Sequence, residues 1–585
     1  MADSSNTDDQ PYALFQQEHQ GVIQPKRRNP KTLESQRSWL EKNSPAFEIP
    51  QALQSHDSEN KCMGGVLNDY KKRWPHWLTS DWMDGLTWKT KSASLFMFCA
   101  TVTSTVALGD VAARETNGRV GITEYLMLQG VAGVGHSLFA ACPLAILRPT
   151  GPITAFMTDL YALAERMDSI NYYSLLSWVG FFVGFYLILI AAFGWSKYIV
   201  LCTRFLHDIY AVFVCTIYIS DGIIGVVERF DNVEWASAFF AFYLALFCII
   251  FSLGFYYVDR STILNQRWRH TIADYAVPLA VVLCVTISYS VKDHVEVDRI
   301  SMPRNFEPTY QDEYTGERRS WYQGLAADDG SSLWVTMLVS LIAAIPIVAL
   351  FYIDHLFSCI LGQKPELGLQ KGEYYHSSMF ITGVCNLILP MFGLPFVTAS
   401  LPHSPQFTKA LTDYDKSETP WKVIKVHESR VAPMVVYMLC FGGLLVPAVL
   451  EKCPLGVVNG ILTFVGLQGI LPGTGNQLID RCVLLLTAPS EFVTRDKNQN
   501  GYMELPWKRI HLYTAVQLAC LAACWGWRFT GPLAIAFPLV VVAFVPLRLV
   551  VLPKIFSEEE LRLLDSEGDQ SASVLRPESK EQELV

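Results

Sequence analysis

A proline-broken apolar stretch, residues 390–412 (PMFGLPFVTASLPHSPQFTKALT), limits the possible folds of this chain more than any other feature. It lies among segments apolar enough to cross a bilayer, yet Pro395, Pro402 and Pro405 argue against one unbroken helix, because each interior proline costs about 3 kcal/mol or more. Carbonyl groups freed in lipid have no water to bond, so such a break is tolerated only inside protein or beside a water-filled cavity. We predict an extended run over 395–399 and a half-helix beginning near Pro402. A proline kink in an ordinary spanning helix is the alternative.

A second broken stretch, residues 143–165 (PLAILRPTGPITAFMTDLYALAE), lies in the first half of the chain. Its apolar run is interrupted by Pro149, Gly151 and Pro152 and then resumes as a helical pattern, which predicts a half-helix over 150–166. Paired Gly/Pro-interrupted hydrophobic segments, one in each half, indicate the binding site of a transporter built from inverted repeats. Unpaired amide donors at the start of each half-helix carry roughly half a positive charge and favour an anion.

The composition is that of an integral membrane protein. Of the 585 residues, 51% are hydrophobic and 17% are charged, whereas soluble proteins average about 25% charged residues. The charges crowd into the N-terminal region, the loops and the C-terminal tail, so the net charge of −9 says little about partners. No basic patch interleaved with aromatic residues suggests nucleic acid.

Nothing in the sequence indicates an enzyme, a cofactor or a metal site. The 14 cysteines are scattered, mostly within apolar runs, and lack paired C-x-x-C spacing, so we interpret them as buried thiols. There is no nucleotide-binding loop, nucleophile elbow or zinc pattern. The N-terminal MADSSNTDDQ is acidic and polar, which is not typical of a signal peptide.

Apolar segments of about the length that a bilayer needs, roughly 20 residues, recur along the chain. We predict an all-α integral membrane protein with about fourteen transmembrane segments, arranged as two inverted seven-helix repeats if the chain repeats. The predicted organisation has six parts: a cytoplasmic, largely disordered N-terminus over 1–75, an interfacial amphipathic helix over 76–92, repeat 1 over 93–291, an extracytoplasmic loop over 292–330, repeat 2 over 331–552, and a cytoplasmic tail over 553–585.

Lysine and arginine residues set the predicted orientation. They occur before the first span and in the loops 259–270, 362–375 and 409–430. All four regions fall on the cytoplasmic face if both termini are cytoplasmic, which places the acidic 292–330 loop outside.

Asp354 is the most informative single residue, because it lies in LFYIDHLFSCIL, within a run that should cross the membrane. An intramembrane carboxylate costs a few kcal/mol and normally faces a cavity or a partner. The alternative is an aspartate at the membrane interface. His355 points in a different direction on a helix, so we interpret it as structural.

Hydroxyl residues accompany both broken stretches. Thr398 and Ser400 lie in the approach to the second half-helix, and His403 and Ser404 lie in its first turn. Hydroxyl groups both donate and accept, which suits an oxygen-rich anion. Ser400 is also placed to be an N-cap, so capping and substrate contact both remain open. His403 is either a proton-linked group or simply hydrogen-bonded.

The first half of the chain offers corresponding candidates. Thr150 and Gly151 mirror the hydroxyl-rich positions before the first half-helix. Thr103 and Ser104 belong to a run of small hydroxyl residues in the first span, where they either pack helices closely or face the site. Arg148 either neutralises a carboxylate or extends to the membrane interface.

Several stretches together resemble one family. They include GDVAARETNGRVGITEYL, PTGPITAF, FYIDH, FGLPFVTASLPHSPQFTKAL, HESRV and GNQLIDRCVLLL. Over about 65–565 the chain resembles the eukaryotic borate transporters, the fungal and plant branch of the bicarbonate-transporter (anion-exchanger) family. The IDH sequence and P-H-S-P-x-x-T-K, similar to that branch's P-Q-S-P-x-x-T-K, favour this branch. So does the short N-terminal region, since animal members carry a large soluble domain there.

The resemblance implies a core domain of spans 1–4 and 8–11 and a gate domain of spans 5–7 and 12–14, which commonly forms a homodimer. Substrate would lie between the half-helices of spans 3 and 10. Asp354 matches the family's acidic residue of span 8. His403 occupies the position where animal exchangers have arginine and plant borate transporters glutamine; a neutral histidine supplies no fixed charge, so anion binding would depend more on helix dipoles.

The function that these observations predict is export of borate from the cytoplasm by an elevator or rocking movement, with proton coupling as an option. Thr150, Ser400, Ser404 and Asp354 would bond the substrate hydroxyls. A bicarbonate or chloride exchanger is the first alternative, and a non-transporting boron sensor or membrane scaffold is the second. We expect the plasma membrane, with the vacuolar membrane as the alternative.

Overall fold

The computed structural model of this protein describes residues 62–565, except for 168–169, 259–260, 304, 313–314, 326–331, 365–366, 416–421, 472–475 and 488–504. Most of the predicted N-terminal segment and the end of the predicted tail lie outside the described residues.

In the first half of the chain, the described residues are mostly helical and include one short strand. Its elements are α1 Gly64–Trp77, α2 Ser80–Met83, α3 Trp88–Glu115, α4 Ile122–Phe139, β1 Leu147–Arg148, α5 Gly151–Arg166, α6 Tyr172–Ala192, a 3₁₀ helix Trp195–Leu201, α7 Arg204–Val227, α8 Arg229–Asn232, α9 Trp235–Tyr257, α10 Gln266–Asp274 and α11 Ala276–Val291.

The second half is built in the same way and adds a small hairpin. Its elements are α12 Leu333–Gly362, α13 His376–Ile388, a 3₁₀ helix Leu389–Phe392, β2 Thr398–Ala399, α14 His403–Ala410, β3 Thr412–Asp415, β4 Lys422–Val426, α15 Val431–Gly443, α16 Pro447–Leu450, α17 Leu455–Ile470, α18 Gln477–Thr487, α19 Trp507–Arg528, a 3₁₀ helix Gly531–Ala536, α20 Phe537–Pro546, a π-helical turn Leu547–Val551, α21 Leu552–Ile555 and α22 Glu558–Asp565.

Six of the described helices are long and apolar enough to cross a membrane, and α10 with α11 makes a seventh if this pair, bent by 73°, counts as one span. Three shorter apolar helices, His376–Phe392, Val431–Gly443 and Leu455–Ile470, accompany them. The prediction of an α-helical integral membrane protein is confirmed. The number fourteen stays a prediction.

The two broken stretches meet in the middle of the fold. β1 pairs antiparallel with β2, with Leu147 opposite Ala399 and Arg148 opposite Thr398. The Ser400 amide also donates to the Ile146 carbonyl at 2.8 Å. Each strand leads into a half-helix, α5 or α14, so the predicted breaks are confirmed and the kinked-helix alternative is wrong. Pairing the strands satisfies backbone groups that the prolines prevent from bonding within a helix.

Tyr437 on α15 holds the first strand in place. Its hydroxyl accepts a hydrogen bond from the Leu147 amide at 2.8 Å. Its ring lies against Gly133 on α4, where a Cβ atom would stand 2.0 Å from the ring. Glycine at 133 therefore permits the close approach that brings this hydroxyl to β1.

The region before the first span differs from the prediction. Residues 76–92 do not form one interfacial helix but are divided among the end of α1, the short α2 and the start of α3. The physical reason is a buried ion-pair cluster: the Asp81 carboxylate lies 2.6 Å from Arg73 Nη2 and 3.1 Å from Arg430 Nε. Burying a charge is costly unless it is paired, so this cluster holds the Asp81 side chain of α2 in the interior, while Met83 of the same helix is exposed. The β3–β4 hairpin was also not predicted.

The described parts of the 292–330 loop pack against helix ends. Buried Glu124, in the first turn of α4, accepts from the Thr309 amide at 2.8 Å and from Arg319 Nη2 at 3.0 Å. Asp298 pairs with Arg229 Nη1 at 2.6 Å. The loop therefore covers one end of the helical bundle.

Candidate functional site

Two half-helices begin beside the β1–β2 crossing. Thr150 is the N-cap residue of α5, with a proline in the first turn, and Pro402 is the N-cap residue of α14. Proline is tolerated there because first-turn amides have no partner within the helix. The sequence therefore places two helix starts, each with a partial positive charge, at one point of the fold.

Arg148 lies at the centre of this site, with 1% of its surface exposed. Its Nη1 donates to Ser104 Oγ at 2.6 Å and lies 3.3 Å from His403 Nε2, and its Nε donates to the Pro149 carbonyl at 3.0 Å. Its Nη2 has no hydrogen-bond partner within the described part of the chain. The guanidinium is thus hydrogen-bonded through Nε and Nη1, whereas its buried Nη2 is left without a partner.

Asp354 on α12 faces the same site. It is 4% exposed and therefore buried inside the protein. It lies within electrostatic reach of Arg148. No described residue donates a hydrogen bond to its carboxylate, although buried carboxylates are normally hydrogen-bonded. Asp354 is therefore a buried acceptor beside a buried donor, with no direct bond between them.

Three further buried oxygen atoms near this pair have no partner among the described residues: Thr150 Oγ1, Thr398 Oγ1 and the Tyr210 hydroxyl. Thr398 is opposite Arg148 in the two-stranded sheet, and Tyr210 lies within electrostatic reach of Asp354. Because roughly 90% or more of buried polar groups in proteins are hydrogen-bonded, a cluster of unpartnered groups marks a place for a ligand or water.

The two serines of the second stretch serve the fold. Ser404 Oγ accepts from the Ile146 amide at 2.9 Å, lies 2.7 Å from Ser358 Oγ, and donates to the Ser400 carbonyl at 3.1 Å. A hydroxyl group has one donor and two acceptor positions, so Ser404 is fully used. Ser400 is not the predicted N-cap, because α14 has no side-chain cap; its Oγ instead lies 2.9 Å from His403 Nδ1.

His403 bridges this serine and Arg148. A guanidinium can only donate, so the Nε2 atom facing Arg148 acts as acceptor and the proton lies on Nδ1, which donates to Ser400 Oγ. The ring is therefore neutral, as expected. The histidine supplies no fixed positive charge, but Arg148 beside it does.

Of the remaining predicted residues, Ser104 contacts Arg148, and the others make hydrogen bonds that stabilise the surrounding helices. Ser104 anchors Arg148, whereas Thr103 Oγ1 donates to the Cys99 carbonyl at 3.1 Å within α3. The Gly151 amide donates to the Tyr218 hydroxyl at 2.9 Å, so this first-turn donor is already used. His355 Nε2 lies 3.0 Å from Ser378 Oγ, in keeping with a structural role.

Sequence reasoning left the role of Arg148 open and missed Tyr210 and Tyr218. Arg148 carried a signal, an arginine inside an apolar run, but the run allowed two interpretations. Tyr210 and Tyr218 carried none, because tyrosine in a long apolar helix is commonly part of the packing. Among the described residues, no group of three or more histidines, cysteines or carboxylates could hold a metal ion.

The fold and the site define a membrane transport protein with a buried polar site. Residues 61–237 and 232–569 match the family described as the HCO3- transporter integral membrane domain. This chain belongs to the bicarbonate-transporter family, whose members transport anions across membranes.

Two relatives show the extent of the similarity. Anion exchange protein 2 of Homo sapiens is 27% identical over 555 residues, which cover 86% of this chain and 43% of the relative. Band 3 anion transport protein of Rattus norvegicus is 25% identical over 534 residues, covering 87% and 55%. This chain thus spans about half the length of these relatives. A solved structure of the transmembrane domain of a cyanobacterium bicarbonate transporter, BicA, aligns over 77% of this chain and 98% of that chain, with 16% identity and a TM-score of 0.48.

Proposed function

We propose that this protein exports borate from the cytoplasm, binding the anion between the starts of α5 and α14. The observation that carries the proposal is the unpartnered Asp354 carboxylate beside the partly unpartnered Arg148 guanidinium. Arginine and the two helix starts attract negative charge. A carboxylate repels an anion unless the anion carries donors of its own.

This arrangement favours a hydroxylated anion. Tetrahydroxyborate carries one negative charge and four hydroxyl groups, so it can accept from Arg148 Nη2 and donate to Asp354 at once. Thr150 and Thr398 can either donate or accept. Bicarbonate has one hydroxyl and chloride has none, and each leaves more of these buried groups unpaired, which costs affinity.

Transport requires the site to open to each side in turn. In the proposed mechanism, the two half-helices and the helices packed around them form a core that slides or rocks against the remaining helices with the site fixed in the core. We propose a homodimer formed through the gate helices, cytoplasmic termini and a place in the plasma membrane. Whether protons move together with borate is a separate question, which the pH dependence of boron efflux would answer.

Boron efflux from proteoliposomes containing the purified protein tests the function, and Asp354→Asn tests the site. Asparagine keeps the shape of the side chain but removes the charge and one of the acceptors, so we expect boron efflux to fall to the level of empty liposomes while the protein elutes as a folded species. Full boron efflux by this variant would contradict the role of Asp354.

A second candidate is exchange of bicarbonate or chloride. The similarity to Anion exchange protein 2 favours it, and Arg148 can bind any small anion. Chloride flux, or pH recovery that requires bicarbonate, in the same liposomes separates the two functions. If no anion moves, the boron sensor or scaffold alternative stands and both transport proposals fail.

A further inference from the structure

We infer that Arg148 is the residue that binds the charge of the transported anion. His403, in the first turn of α14, is a positioning residue that orients the Arg148 guanidinium. This inference rests on the proposed anion site but not on the choice of borate. It assigns the fixed charge of the site to the first broken stretch, where the sequence alone left two interpretations of Arg148 open.

Two other fully buried arginines, Arg73 and Arg430, differ from Arg148 in the groups that they bond. Arg73 bonds the Asp81 carboxylate and lies 3.4 Å from Glu428. Arg430 bonds Asp81 and also donates to backbone carbonyls at the end of α4. Both cations are therefore neutralised by a directly bonded carboxylate.

Arg148 has no such bond. Its partners in the described part of the chain are a hydroxyl group, a carbonyl group and a histidine nitrogen, all neutral, and its Nη2 has none. A buried cation without a bonded anion is costly. An anion at Nη2 would remove this cost and would be held by a charge-assisted hydrogen bond.

His403 orients the Arg148 guanidinium and therefore sets the direction of its unpartnered Nη2 atom. Its Nε2 lies 3.3 Å from Arg148 Nη1, and its Nδ1 is fixed by Ser400 Oγ at 2.9 Å. Arg148 approaches from β1 and His403 from the first turn of α14, so the ends of the two side chains meet. An arginine at 403 with a neutral residue at 148 would therefore place a positive charge close to where Arg148 places it now.

A charge-transplant experiment tests the inference. The fluxes of boron, chloride and bicarbonate are measured in proteoliposomes for Arg148→Gln, for Arg148→Gln with His403→Arg, and for His403→Gln, which measures the positioning role by itself. We expect Arg148→Gln to lower the flux of the transported anion at least tenfold. The double variant should recover at least a third of the flux. His403→Gln removes the ring that joins Arg148 to Ser400 but leaves the charge of Arg148 in place, so we expect a loss of about threefold to tenfold, smaller than the loss in Arg148→Gln.

Two results would overturn the inference: full flux in Arg148→Gln, or a folded double variant that transports no better than the single one. If Arg148→Gln does not fold, Arg148→Lys decides, because lysine keeps the charge and loses the planar fork. We expect boron to raise the melting temperature of the parent and to raise that of Arg148→Lys by less than half as much; equal shifts would contradict the assignment. If chloride or bicarbonate moves, boron does not, and Arg148 is still required, the borate proposal fails and this inference stands.

Discussion

Hydroxyl groups around the two half-helices are of two kinds, according to whether other protein atoms use them. Ser404 Oγ joins Ile146, Ser358 and the Ser400 carbonyl, whereas Thr398 Oγ1 is buried and has no partner among the described residues. Both residues are hydroxyl-bearing and lie six positions apart. Their neighbours give the first a role in folding and leave the second available to a ligand.

This difference predicts opposite effects of two conservative substitutions. Thr398→Val keeps the shape and removes an unpartnered group, so we expect an unchanged or higher melting temperature and boron affinity weakened about threefold to tenfold, the value of one hydrogen bond. Ser404→Ala leaves the buried Ile146 amide unsatisfied, so we expect a loss of about 1–3 kcal/mol in stability with affinity nearly unchanged. Melting curves and equilibrium boron binding measure both; the reverse pattern would contradict our assignment of the two hydroxyls.

At the scale of elements, the crossing of β1 and β2 depends on helices that the strands do not belong to. Tyr437 on α15 reaches the Leu147 amide only because Gly133 leaves space on α4. Two residues further along α4, a Cβ atom at Gly135 would meet only the Cys385 sulfur at 4.0 Å, an ordinary contact. A side chain at position 133 would therefore collide with the Tyr437 ring, whereas position 135 has room for one.

We expect Gly133→Ala to displace the Tyr437 ring, release the Leu147 amide and cost about 1–3 kcal/mol from overpacking, with transport lost or strongly reduced. Gly135→Ala is the matched control. It should retain transport and gain up to about 1 kcal/mol from the better helix propensity of alanine. Thermal unfolding and boron efflux are measured for both variants. Equal melting temperatures and equal efflux rates would contradict the packing argument.

At the scale of the whole molecule, two ion pairs connect the helices nearest the site with those of the proposed gate. Asp159 on α5 lies 3.1 Å from Arg528 at the end of α19, and Arg114 on α3 lies 3.2 Å from Glu228 just after α7. On the predicted orientation both pairs lie toward the extracytoplasmic side. They would close that side and would have to break when it opens.

The Asp159–Arg528 pair can be tested by exchanging its charges. Asp159→Arg places two cations together. Because like charges repel, we expect boron efflux to fall by about threefold to tenfold. Adding Arg528→Asp restores an opposite-charge pair and should recover most of the flux. If the double variant remained as slow as the single one while folded, this contact would have no part in closing the pathway.

Much of the site was predictable for one reason: proline lacks a donor wherever it stands. Pro149, Pro395 and Pro402 therefore predicted both breaks and both half-helices without knowledge of any neighbour. Asp354 was predictable on similar grounds, since a carboxylate within a long apolar run has a cost in any fold.

The sequence by itself thus determined a helical membrane protein with two interrupted segments and an acidic residue between them. Only the tertiary structure decided that Arg148 is the fixed charge of the candidate site, that Ser404 joins the two broken stretches and that Asp81 of α2 is buried. Each of these depends on partners far along the chain, such as Ile146 and Ser404, 258 positions apart. A side chain's hydrogen-bonding capacity is a property of its residue type, but which atoms use that capacity is set by packing.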